Sequence, residues 1–248
     1  MKSLHVSNFK RVHLGLLLDL ILLFLLPVIL LMLLLIVLRQ FSDGSSEVAG
    51  ITITDLFDSP SLAVRALYIV VVLQYCLSAL CSLLIVSGLG ELESSSRKLL
   101  QAKRWFILLM LADGMAMLAH ISDLLLQAGD RITVASVLYF LALLGMAAFR
   151  LLALRFLQQG YAEVLEQIGF SDQSRCAMSL SRRVVTAYVL LIILVVMAFS
   201  FWLLGWVEPA KSFVRIYAVA AVVFYVVCRI QVVRFSSAVT GWISTLSE

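Results

Sequence analysis

Six apolar stretches alternate with short polar gaps along this chain, at residues 14 to 38, 62 to 87, 105 to 127, 132 to 155, 184 to 207 and 212 to 235. Each meets the ~20 apolar residues a helix needs to cross the hydrocarbon of a bilayer. Leu, Val and Ala dominate them without strict alternation, so a backbone that must satisfy itself in lipid chooses helices over a barrel. The pattern predicts an all-α, polytopic membrane protein with one transmembrane domain over residues 1 to 248. The gaps after the third and fifth stretches are only a few residues long, which makes their flanking helices antiparallel neighbours and the six spans three hairpins.

The longer gaps, 91 to 104 and 158 to 183, are polar. The first reads as a short helix or loop. The second contains YAEVLEQIGF, whose Tyr161, Val164, Leu165 and Ile168 share a helical face; helix four is expected to run past the membrane or to bend onto its surface near Gly160. In the tail after Arg234, Val239, Trp242, Ile243 and Leu246 are spaced to lie at the interface. Pro27 is expected to kink the first helix. That first run is about 25 residues long, against 7 to 15 for a signal-peptide core, and reads as a retained span.

Composition agrees: 62% of residues are hydrophobic, 14% are charged, and the mean hydropathy of +1.06 exceeds what a soluble core of this size could absorb. Charge adds orientation. Lys2, Lys10 and Arg11, then Arg97, Lys98, Lys103 and Arg104, then Arg175, Arg182 and Arg183, and finally Arg229 and Arg234 all fall on one side. The other side receives Asp43, Glu47, Asp55 and Asp58, a turn at Asp130 and Arg131, and a turn from Glu208 to Lys211. By the positive-inside rule both termini are cytoplasmic. The net charge of +4 is then a set of topology anchors against lipid headgroups, and no nucleic-acid partner is called for. An abundance of Arg over Lys, and a lone Asn8 outside any glycosylation sequon, point to a bacterial cytoplasmic (inner) membrane. A weak repeat joins the last two hairpins: Arg150, Arg155 and Phe156 recur 79 residues later as Arg229, Arg234 and Phe235.

Ionisable residues at membrane depth are where function is to be sought, because each is costly in hydrocarbon. On helix three, Asp113, Ala116, His120 and Asp123 form one stripe, a candidate ion or proton pathway in which the His120 imidazole exchanges protons near neutral pH. The competing reading is structural pairing: Asp123 shares its depth with Arg65 and Arg215 at the outer surface, and Asp19 shares its depth with Arg150 and Arg229 at the inner one. No metal site is expected, since Asp-x6-His-x2-Asp spans nearly three turns and no other helix offers a His. Cys76, Cys81, Cys176 and Cys228 have neither metal spacing nor an exterior loop in which to oxidise. No cofactor is implied. The Asp113-Gly114 pair resembles the opening of the CDP-alcohol phosphotransferase motif, but Met117 and Leu118 stand where that family has Ala and Arg, and the likeness ends there.

Three functional classes follow. The first is a non-catalytic membrane subunit of a larger assembly or transport system, packing against other protein subunits or against itself. The second is a permease or channel-like transporter whose polar pathway follows helix three; its size is similar to that of ABC-2-type permease subunits, a likeness of architecture alone. The third, a lipid-active membrane enzyme, lacks a nucleophile and base or a carboxylate cluster.

Overall fold

The computed structural model describes residues 6–42, 62–92, 95–126, 132–204 and 208–246. Six helices fill them: α1 (Val6–Ser42), α2 (Leu62–Leu92), α3 (Arg97–Leu126), α4 (Ile132–Gln167), α5 (Ser171–Leu204) and α6 (Glu208–Thr245). No strand occurs among the described residues. Each helix packs on the next, and α6 returns to α1, so the six close into a ring. The gap carrying Asp43, Glu47, Asp55 and Asp58, and the turn at Asp130 and Arg131, lie outside the described residues.

Burial explains the ring. In α2, Tyr75, Ser78, Ser82, Ile85, Leu89 and Leu92 are buried; in α3, Leu99, Ala102, Phe106, Leu109, Asp113 and Ala116 are buried. Steps of three and four residues recur in both, the repeat that keeps one seam of a helix facing its neighbours. The opposite faces stay apolar but exposed, for example Leu14, Leu18, Leu80, Leu83, Leu111 and Met115. Three stretches, Val70–Gly90, Ser171–Leu194 and Ile216–Thr245, are long and apolar enough to cross a membrane, with mean hydropathies of 2.2, 1.6 and 2.1 and no more than a third of each window buried. An apolar exterior of this kind is compatible with a membrane location.

The helices outlast the apolar runs that predicted them. They hold 30 to 38 residues, or about 45 to 57 Å at the helical rise. Most of the segment 91 to 104 is helix: α2 runs to Leu92 and α3 starts at Arg97, with Ser95 N–H donating to the Leu92 carbonyl at 2.9 Å. There Ser96 Oγ accepts the backbone N–H groups of Lys98 and Leu99 at 3.1 and 3.3 Å, a cap that starts α3 eight residues before its apolar run. The segment 158 to 183 divides between α4 and α5 around Gly169, whose φ of 90° suits only a residue without Cβ. Phe170 N–H reaches back to the Leu165 carbonyl at 2.8 Å and Gly169 N–H to that of Glu166 at 3.1 Å, a Schellman closure. α4 runs unbroken through Gly160. That glycine lets Leu99 of α3 approach to within 2.4 Å of where a Cβ would stand. The outer turn placed at Glu208 to Lys211 is instead the first turn of α6, where Pro209 sacrifices no helical donor.

The tail after Arg234 turns its apolar face onto the bundle. Val239 and Ile243 are fully buried and Trp242 is half-buried in the core, leaving Leu246 exposed. Rings link up at this basic end: Phe9 to Tyr161 at 6.1 Å, Tyr161 to Phe235 at 6.5 Å, Phe235 to Trp242 at 5.9 Å and Trp242 to Phe170 at 6.3 Å. This aromatic plug ties α1, α4, α6 and the α4–α5 turn together. Around it Arg11, Arg104, Arg155, Arg182 and Arg234 are exposed, about 8 Å along α4 and α6 from Arg150 and Arg229.

Candidate functional site

Each helix contributes a polar residue to one shared level of the buried axis. In α1 the series Phe9, Val12, Leu16 continues to Asp19; in α3, Phe106 and Leu109 lead to Asp113; in α6, Val232 leads to Arg229 and Tyr225. Ser78 of α2, Arg150 of α4 and Tyr188 of α5 occupy the matching places. The same spacing that buries apolar side chains therefore aims these groups at the ring's centre.

They form one connected chain. Asp19 is shared by two guanidiniums: Arg229 Nη2 donates to its Oδ2, and Arg150 Nη2 stands 3.2 Å from its Oδ1. Arg150 Nη2 also donates to Ser78 Oγ at 2.8 Å, and Ser78 Oγ donates to Asp113 Oδ2 at 2.8 Å. The order Asp113, Ser78, Arg150, Asp19, Arg229 draws on five helices. The sixth, α5, supplies Tyr188, whose hydroxyl lies 3.3 Å from that of Tyr225 with the rings edge to face. Both tyrosines lie within electrostatic reach of both arginines. Asp113 and Arg229 are each only 3% exposed, whereas the Arg150 side chain is 25% exposed.

Two cations oppose two carboxylates here, so a single proton gained or lost alters the net charge of a desolvated site, where such changes act strongly. Ser78 accepts from one side and donates to the other, which lets hydrogen-bond direction pass along the chain. Toward the basic end the axis is packed: Leu16, Leu154, Leu157 and Val232 are buried, and the Gln158 amide finds no partner for either its nitrogen or its oxygen. One turn further, Tyr161 Oη meets Ser236 Oγ at 3.1 Å. Burial lifts the Tyr161 phenol well above its ordinary range, against the opposing effect of that bond, so it remains a neutral link.

Of the residues singled out in the sequence, Asp19, Arg150 and Arg229 are brought together, and Asp113 joins them through Ser78. Ala116 is buried beside Asp113 on α3. His120 and Asp123 of α3, Arg65 of α2 and Arg215 of α6 have side chains outside the described set. Ser78, Tyr188 and Tyr225 escaped the sequence reading; their signal was a polar residue at a buried heptad position. Among the described residues no three His, Cys, Asp or Glu side chains gather as a metal site, and the four cysteines are free thiols.

Fold and site together define an all-helical protein with an apolar exterior and a charged centre. No protein family, curated protein or solved structure matches the chain.

Proposed function

We propose that this chain is an integral membrane protein of six spans with both termini cytoplasmic, and that it works, without catalysis, as a permease or channel-like transporter. Its polar route would run through the Asp113, Ser78, Arg150, Asp19 and Arg229 chain. The observation that carries the reading is the placement of this chain at the centre of a helix ring whose outer face is apolar. The positions of the cations support the orientation: exposed arginines rim one end, and acidic residues dominate the gaps assigned to the other. The sequence alone put a membrane subunit first; the connected charges, which a passive packing surface does not need, move transport ahead of it. Packed side chains below the chain make the basic end the closed side, so passage there requires a rearrangement.

Reconstitution tests this. Vesicles containing the purified protein should dissipate an imposed pH gradient faster than protein-free vesicles. No difference across a range of counter-ions removes the transport reading.

A second reading, the non-catalytic subunit, is favoured by one feature. Glu166 of α4 with Arg175, Met178, Ser179 and Arg182 of α5 line an open groove of about 490 Å³, polar enough to receive a protein partner. A stoichiometric partner retained in mild detergent, and lost on Arg175→Glu, is its expected signature.

A further inference from the structure

The centre of the bundle is rich in donors and short of acceptors. Arg229, almost wholly buried, uses Nη2 on Asp19 while its Nη1 and Nε have no partner. Beside it the Tyr188 and Tyr225 hydroxyls share one mutual bond; whichever donates, the other keeps its proton free for a further acceptor. Buried groups without partners are rare in folded proteins and mark missing ligands or waters. Gln158, lower on the axis, lacks partners for both its amide nitrogen and its amide oxygen, and one water can serve both. Arg229 differs, because the unmet groups around it are mainly donors: its Nε and Nη1 N–H groups and one tyrosine proton, against the lone pairs of the two phenolic oxygens. The complementary ligand is one that mainly accepts, and beside a guanidinium an anion does so best.

Charge favours a ligand of a single negative charge. Asp19 is divided between Arg150 and Arg229, and Asp113 reaches Arg150 only through Ser78. The second carboxylate is thus connected to the far end of the chain and leaves the free edge of Arg229 uncompensated. We propose that this edge, together with the Tyr188 and Tyr225 hydroxyls, forms a binding site for a small monovalent anion of chloride size. Naming that anion as the transported solute rests on the transport reading; the binding site itself does not. Asp113 competes with the anion electrostatically, so neutralising it strengthens binding.

The test is equilibrium binding of radioactive chloride to the full-length, detergent-purified protein in gluconate buffer. The expected result is saturable binding at one site per chain. Arg229→Lys keeps the charge for Asp19 but has no second edge to offer, and should weaken binding at least about tenfold. Asp113→Asn should tighten it by up to about tenfold, as expected for removing a like charge on the order of 10 Å away in a medium of intermediate dielectric. If Arg229→Lys does not fold, the Tyr188→Phe/Tyr225→Phe double variant takes its place and should weaken binding several-fold. Absence of saturable binding by folded wild-type protein, or binding that neither Arg229→Lys nor the tyrosine pair alters, overturns the proposal. Chloride binding without flux in vesicles would leave the site standing and sink transport; flux without chloride binding would do the reverse.

Discussion

Asp19 answers two guanidiniums with one carboxylate, and the Arg229 guanidinium is almost wholly buried. Asp19→Ala should therefore destabilise the protein by about 3–5 kcal/mol, the usual consequence of leaving buried charges unpaired, measured as a fall in thermal midpoint in detergent. Tyr161→Phe removes only the neutral bond to Ser236 and should cost about 1 kcal/mol; equal losses from the two variants would contradict the importance assigned to the charge chain. The Asp19, Arg150, Arg229 grouping was legible in the sequence, because charges are scarce in apolar runs and depth can be counted at 1.5 Å per residue. Ser78 was not, since a serine in an apolar helix faces inward or outward according to a phase that only packing decides. Asp113 was legible as an outlier but its partner was not. Spacing along α3 grouped it with His120, while the structure carries its contact across to α2 and on to Arg150.

Among the elements, α1 and α2 lie closest. A Cβ at Gly15 would stand 2.9 Å from the Cys81 carbonyl oxygen, and one at Gly88 2.7 Å from that of Asn8; both obstacles are backbone and cannot swing away. Gly15→Ala and Gly88→Ala should each destabilise by about 1–3 kcal/mol through overpacking. Gly145→Ala, with nothing within 4 Å of the new methyl, should be neutral or slightly stabilising for α4. Thermal unfolding of the three variants checks this, and a Gly88→Ala protein as stable as wild type would refute the close seam. Helix existence was legible from hydrophobic runs, but helix ends were not. Residues 156–167 and 235–245 look like interfacial segments because their apolar faces are narrow; they are buried instead because the ring supplies each face with a partner, Tyr161 against Phe235 and Trp242 against Phe170.

For the whole molecule, exposed arginines surround the aromatic plug at one end. That layout makes Cys176, exposed near the start of α5, a topology probe. In intact cells it should resist a membrane-impermeant maleimide and react once the membrane is opened, whereas labelling of intact cells would reverse the proposed orientation. That consecutive helices pack together was legible from the short gaps; the closure of the ring by α6 on α1 was not, because contact between chain ends leaves no periodic trace in sequence. The most direct measurement on the charge chain is proton flux into vesicles carrying Asp113→Asn beside wild type, with monodispersity followed in parallel. The transport reading predicts a folded, monodisperse variant whose flux falls at least about tenfold, the equivalent of 1.4 kcal/mol or more on the rate-limiting barrier. A folded Asp113→Asn protein that conducts as wild type does would contradict it.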